Sequence, residues 1–374
     1  MLNQKVEPYF FTVLSYDIRI DLIVSRQVIN LSFLITSKFW RQFMKVSVAM
    51  ATYNGEKYIQ KQLDSILNQS RKVDEIVLVD DKSTDNTREV IQKYIQQHSE
   101  MKFSFYVNEE NLGYKKNFKK AMSYCRGEYI FLCDQDDIWL SNKVEEMIAI
   151  MDTHPNILSL ASSFSFIDKD GKTFEVEKVK GLSNNNLLRM VVNTNDLVEV
   201  TFETLLTQNS FQGCALVIRK ELNQRFQECF TEDLFHDWLI NLLAAEQKGM
   251  FFYNKSLFLY RIHGKNTIGI NEQEHYTKKE HAQKRNELKT RLLLAQYPLE
   301  TLKKLEKIEP RLLQYQPDYK KRMTFYQNHI DYLTNGDGFK LFMQNFSPYY
   351  KGMKTKKARI MDLIFAFKQK FKSI

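Results

Sequence analysis

From Lys45 to Met151 one pattern repeats four times: an apolar run of strand character, a polar turn, then apolar residues at helical spacing. The strands are Val46 to Met50, Glu75 to Val79, Phe103 to Val107 and Tyr129 to Cys133. The intervening helices are marked by Ile59, Leu63, Ile66 and Leu67, then by Val90, Ile91, Tyr94 and Ile95, then by Phe118, Ala121, Met122 and Cys125. A fourth carries Val144, Met147, Ile148 and Met151, with Asn142 and Glu145 spaced as a capping box. Strands joined through helices run parallel, and a parallel sheet is covered on both faces. The spacing therefore predicts an α/β fold with a mostly parallel central sheet.

Ligands of such sheets lie beyond the carboxyl ends of the strands. Three of the four strand ends carry polar clusters: Thr52-Tyr53-Asn54, Asp80-Asp81 and Asp134-Gln135-Asp136. Asp134, Asp136 and Asp137 crowd three carboxylates into four residues, which repel one another unless a cation neutralises them. Taken alone, that stretch also fits a solvated acidic turn in which Asp137 leads into the next helix. Its coincidence with two other polar strand ends points instead to a cleft.

The second half is less regular. Ile157 to Phe166 and Phe174 to Val179 predict a hairpin around Asp170-Gly171, and Leu182 to Leu206 a helix lying over the cleft. Gly213 to Ile218 reads as a buried strand, and Phe235-His236-Asp237-Trp238 opens a helix. Met250 to Tyr253 and Leu257 to Tyr260 read as short strands, and everything beyond about Glu272 as helix.

With 43% hydrophobic and 26% charged residues, the 374-residue chain is globular. Its four cysteines, Cys125, Cys133, Cys214 and Cys229, show no CxxC spacing, which argues against zinc and a disulfide framework and for a reducing compartment. No segment has the run of about 18 apolar residues that a membrane span needs. Residues 1–43 lack the plan of a signal peptide. Met44-Lys45-Val46 would suit a domain opening on a strand, so 1–43 is expected to be an atypical extension or a mis-assigned start. The expected organisation is 1–43, a catalytic domain over 44–270, and a helical region over 271–374.

These residues bring in a resemblance. Val46 to Glu56 (VSVAMATYNGE) and Val79 to Thr87 (VDDKSTDNT) resemble the nucleotide half of family 2 glycosyltransferases, which have the GT-A fold. Asn111-Leu112-Gly113 with Asn117-Phe118, Asp134 to Trp139, His236-Asp237-Trp238 and Tyr260 to Asn266 extend the match, in the family's order, over roughly 45–270. The wording ATYNGE, DQDDIW and HDW is most similar to a bacterial rhamnosyltransferase-like branch that builds surface polysaccharides.

The resemblance implies an inverting transfer from a dTDP- or UDP-sugar donor to a glycan or lipid-linked acceptor, with Mg²⁺ or Mn²⁺ at the leaving diphosphate. It makes Asp136 the principal metal ligand, Asp134 the second and His263 a third, with a structural role for His263 left open. Asp81, beside Asp80, would accept the imide N–H of the base. Thr52, Tyr53, Asn54, Glu56 and Gln135 would line the donor pocket, and Lys116 and Asn117 would touch phosphate or ribose. Asp237 would be the base that takes the acceptor proton. Trp238 has two open readings, a sugar platform or core. Where relatives often have Gly after the second Asp, this chain has Lys82.

Two other classes fit less well. A nucleotidyltransferase would want a glycine-rich, basic phosphate loop after the first strand, and Thr52 to Glu56 is not one. A nucleic-acid binder would spread its charge along a face interleaved with aromatics. Here Phe339 to Ile374 holds nine Lys/Arg against one acid, a net +8 of the chain's +9. Ile360, Ile364, Phe367 and Phe371 form one stripe of that tail. Packing against the enzyme would account for the stripe; a basic amphipathic helix on the inner face of the cell membrane would account for both stripe and charge.

Overall fold

The computed structural model describes residues 45–176, 186, 188, 190–264, 288–308, 318–350, 354 and 356–372. The expectations for residues 1–43, for Met44 as an initiator and for Lys265 and Asn266 lie outside the described residues.

Strands β1 (Val46–Thr52), β2 (Glu75–Asp80), β3 (Phe103–Val107) and β4 (Tyr129–Asp134) pair in parallel in the order β3-β2-β1-β4. Helices α1 (Ile59–Leu67), α2 (Thr87–Gln97), α3 (Tyr114–Tyr124) and α4 (Lys143–Thr153) carry the crossovers. Successive residues of a strand face opposite sides, and here both sides are apolar. Val48 and Met50 share a core with Ile59, Leu63, Ile66 and Ile91, while Ala49 shares the other with Phe118, Ala121 and Met122. The register brings the polar strand ends to one level: Ala51 stands beside Val79 and Asp134, and Thr52 beside Asp80.

The sheet continues through β5 (Ile138–Trp139), β6 (Ser159–Ile167), β7 (Thr173–Phe174), β8 (Leu197–Glu199), β9 (Leu216–Arg219) and β10 (Met250–Arg261). Its order is β3-β2-β1-β4-β9-β6-β10-β5, with β7 on β6 and β8 on β10. Strand β9 runs antiparallel to both β4 and β6, whereas β6 and β10 are parallel.

Several local expectations change. The hairpin forms around Asp168 to Lys172, and among the described residues its second strand is Thr173–Phe174; residues 177–179 of the expected strand lie outside the described residues. The helix expected over Leu182 to Leu206 is absent where residues are described: β8 adds to the β10 edge and only α5 (Phe202–Thr207) is helical. Asn195 sits at φ 66°, and the Asn254 amide donates to the Val192 and Asn193 carbonyls, which commits that backbone to a turn. The two strands expected at 250–260 are one, because the polar pause at Asn254 and Lys255 is a register shift against β6, followed by a second between Ser256 and Leu259, and neither ends the strand. The capping box is not made: the Asn142 amide reaches Glu146, and Glu145 accepts from the Ser70 hydroxyl at 2.6 Å.

Beyond α6 (Lys220–Cys229) and α7 (His236–Glu246), the chain adds α8 (Leu288–Ile308), α9 (Tyr319–Thr334), α10 (Gly338–Gln344) and α11 (Lys356–Lys372). Ala295, Leu299, Leu302 and Leu305 of α8 share one core with Phe202, Leu205, Trp238 and Leu242. Among the described residues, no helix is long and apolar enough to cross a membrane.

Candidate active site

The loops after β1 and β2 are built around Asp80. Its carboxylate accepts from the Thr52 hydroxyl (2.9 Å), the Ser83 hydroxyl (2.6 Å) and the Ser83 N–H (2.8 Å). Asn54 Oδ1 accepts from the Thr84 N–H at 2.8 Å, and Glu56 Oε2 from the Asn86 N–H at 2.9 Å, so each loop holds the other. Lys82 lies at φ 63°, a left-handed conformation that costs a side-chain-bearing residue roughly 1–2 kcal/mol and explains why Gly suits the position.

Asp81 is the buried floor of this wall. Its Oδ1 accepts from Asn108 Nδ2 and the Leu112 N–H, and its Oδ2 from the Gly113 N–H, each at 2.8 Å. A carboxylate has about four acceptor positions, so one is left on Oδ2. Asn117 lies beneath, donating to the Val79 carbonyl (2.8 Å) and accepting from Asn108 (2.9 Å). Lys116 instead pairs with Glu232 at 2.7 Å. The structure thus groups Thr52, Asn54, Glu56, Asp80 and Asp81, commits Asn117 to the sheet, and turns Lys116 toward Glu232.

Gln135 ties the acidic loop to this wall, accepting from the Tyr53 N–H (2.9 Å) and donating to the Tyr53 carbonyl (2.8 Å). Asp136 Oδ2 meets His263 Nε2 at 2.7 Å, and His263 stacks on Tyr58 with ring centroids 5.0 Å apart. Asp134 turns instead toward Asp137 and Cys214, whose ligand atoms all lie within 4.8 Å of one another. Burial and the neighbouring Asp136 push Asp134 up to about 7, and burial likewise pushes Asp137 well above the usual carboxylate range.

Asp137 does not lead a helix. It is buried, accepts the Arg261 N–H at 3.0 Å, and β5 separates it from α4. Its Oδ2 is buried without a partner. Crowded carboxylates, a buried acceptor without a donor and an imidazole on Asp136 make a donor set of oxygen and nitrogen that fits Mg²⁺ or Mn²⁺. The fully buried Arg261 braces the loop, donating Nε to the Asp136 carbonyl (2.7 Å) and Nη1 to the Asp168 carbonyl (3.1 Å). Behind it, buried Lys143 donates to the Cys214 carbonyl at 2.7 Å and lies over the Trp139 and Phe258 rings. Burial lowers its ammonium to about 8.

Asp237 opens α7. Its Oδ1 accepts from the Trp238 N–H (2.7 Å) and Asn209 Nδ2 (3.0 Å). Burial nonetheless pushes the carboxyl up to about 6. A Cβ on Gly213 would lie 3.8 Å from the Asp237 Cβ, and Gly213 adjoins Cys214, which brings Asp237 near the acidic loop. Trp238 belongs to the core: it donates to the Leu205 carbonyl and is capped by Tyr297 at 5.3 Å.

Sequence reasoning had missed Asn209, Cys214 and the bracing role of Arg261. Asn209 follows the segment misread as a helix, and Cys214 carries no spacing signal. Only the position of Arg261 two residues before His263 could have pointed to it.

Residues 47–222 match the family model for glycosyl transferase family 2. An uncharacterised glycosyltransferase of Methanocaldococcus jannaschii is 38% identical over 140 residues, 36% of this chain and 48% of that one. The provisionally named teichuronic acid biosynthesis glycosyltransferase TuaG of Bacillus subtilis is 34% identical over 126 residues, 34% of this chain and 49% of that one. The chain thus spans less than half the length of these curated relatives. The crystal structure of Staphylococcus aureus TarS 1-349 in complex with UDP superposes with a TM-score of 0.47 at 18% identity, over 88% of this chain and 92% of that one. The family match begins on β1, ends in α6 and contains both the Asp80-Asp81 turn and the acidic loop, so residues 47–222 form a glycosyl transferase family 2 domain.

Proposed function

We propose that the chain transfers a sugar, with inversion, from a nucleotide-diphosphate donor to a growing surface polysaccharide or a lipid-linked glycan. The observation that carries this is the Asp136–His263 pair, 2.7 Å apart beside the crowded Asp134 and Asp137. The loops around Asp80 and Asp81, with Thr52, Tyr53, Asn54 and Glu56, hold the nucleoside, and the remaining acceptor position of Asp81 takes a pyrimidine imide N–H. Gln135 sets the distance between this wall and the acidic loop. Lys116 and Asn117 belong to the same donor side, Asn117 by holding Asp81's neighbour Asn108.

Asp136, Asp134 and His263 would hold Mg²⁺ or Mn²⁺, which would supply positive charge to neutralise the leaving diphosphate. Asp237 takes the acceptor hydroxyl proton while the bond from the acceptor oxygen to the anomeric carbon forms and the bond to phosphate breaks. A carboxyl near 6 is ionised at neutral pH yet basic enough for that transfer. The similarity of ATYNGE, DQDDIW and HDW to the rhamnosyl branch puts dTDP-rhamnose first among donors. A lipid-linked acceptor places the enzyme in the cytoplasm, against the inner face of the membrane.

The test is a donor-hydrolysis screen across dTDP-rhamnose, UDP-glucose, UDP-galactose and UDP-GlcNAc with Mg²⁺ or Mn²⁺. Turnover of one donor that stops with a chelator is expected. No turnover and no metal-dependent nucleotide binding would overturn the proposal.

A further inference from the structure

The C-terminal helices carry apolar side chains that the core does not use. On α10, Phe339, Phe342 and Met343, with Phe346 in the turn beyond, recur at i, i+3, i+4 and i+7 and form one stripe. Phe339 and Phe346 are 71% and 73% exposed, far beyond what scattered surface apolar residues need. On α11, Ile360, Ile364 and Phe367 form a second stripe, 57%, 42% and 48% exposed. The stripes adjoin, since the Phe367 ring lies where a Cβ on Gly338 would come within 2.7 Å of it.

The opposite side of α11 holds it to the protein. Asp362 and Ala366 are wholly buried, and Asp362 accepts from Arg291 Nη1 and Lys354 Nζ, each at 2.6 Å. Packing uses Asp362 and Ala366, while Ile360 and Ile364 face outward and Phe367, its ring against Gly338, stays half exposed. Asp362 is the one acid from Phe339 to Ile374, and it is buried and paired. Lys340 is matched by Asp337 at 2.9 Å, but Lys356, Lys357 and Lys368 are exposed. At about 100° per residue, these three lie within about 80° of the outward stripe.

We propose that the α10–α11 face docks on an anionic lipid bilayer, its phenylalanines entering the headgroup boundary and its lysines meeting anionic headgroups. Apolar side chains flanked by cations have the plan of an interfacial helix. A second copy of the chain is the poorer occupant, because a self-complementary interface would bring the same lysines together. The inference rests on this surface alone, so its test can fail without touching the donor chemistry.

The full chain is sedimented with phosphatidylcholine vesicles, with and without phosphatidylglycerol. Binding is expected only with phosphatidylglycerol. Lys356→Gln/Lys357→Gln/Lys368→Gln should lower partitioning on the order of 100-fold, at about fivefold for each cation. Phe339→Ser/Phe346→Ser should leave a weak association that added salt removes. Both variants should keep the parent's thermal unfolding and nucleotide binding, which separates lost docking from lost folding. Equal binding to both vesicle types, or an unchanged lysine variant, would overturn the proposal. So would a failure to sediment, including the case of a concentration-dependent dimer that Phe339→Ser/Phe346→Ser dissolves, which would assign the face to a second copy.

Discussion

Asp136 Oδ2 and His263 Nε2 lie 2.7 Å apart although 127 residues separate them in the chain. Two loops far apart in the chain meet there, one leaving β4 and one leaving β10. Arg261 makes the meeting reproducible: its backbone N–H holds Asp137 and its guanidinium holds the Asp136 carbonyl.

This pair predicts a specific response to substitution. Asp136→Asn and His263→Ala should each weaken Mn²⁺-dependent nucleotide binding, Asp136→Asn by at least about 100-fold if it removes several kcal/mol of charge stabilisation. Titration calorimetry with UDP or dTDP, with and without Mn²⁺, checks it. Equal affinity in both variants would remove these residues from the metal site.

Asp237 predicts a pH dependence of transfer. If it is the base, transfer should rise with pH through about 6 and level off above it, while Asp237→Asn keeps donor binding and loses transfer. Stability has the opposite sign. A carboxyl raised above its unfolded value near 3.8 stabilises the fold below that value, and the contribution is lost as pH rises through about 6. Relative to Asp237→Asn, the parent should therefore lose on the order of 2–3 kcal/mol between pH 4 and 7. Thermal melts of both proteins across that range check it.

Gly55 predicts a steric effect on the donor wall. A Cβ there would lie 2.1 Å from Gln135 Oε1, in the side chain that clasps both polar groups of Tyr53. Gly55→Ala should displace Gln135, cost about 1–3 kcal/mol and weaken donor binding. Gln135→Ala/Gly55→Ala should recover part of the stability, because the clash is gone even though the clasp is too. A melt of the single and double variants reads the difference.

How much of this was legible in the chain differs between its halves. The four strands and four helices up to Met151 stand where the apolar periodicity put them, because β1, β2 and β4 are buried on both faces and the helices that cover them have little freedom in their pattern. Between Leu182 and Leu206 the same kind of counting failed. A turn held by Asn254 and an edge strand on β10 replaced the expected helix, and both depend on partners about 60 residues away.

The sequence by itself determined that three polar strand ends would share one edge, since parallel strands joined by helices point their carboxyl ends the same way. Only the tertiary structure decided what each acid there does. Asp80 serves the turn, Asp81 the floor, Asp136 faces His263, and Asp134 and Asp137 share Cys214. Spacing along a chain fixes which residues reach an edge. The direction of a side chain depends on burial and on groups brought in from elsewhere: the Leu112 and Gly113 N–H groups after β3 for Asp81, Cys214 before β9 for Asp134 and Asp137, and Arg261 and His263 at the end of β10 for Asp137 and Asp136.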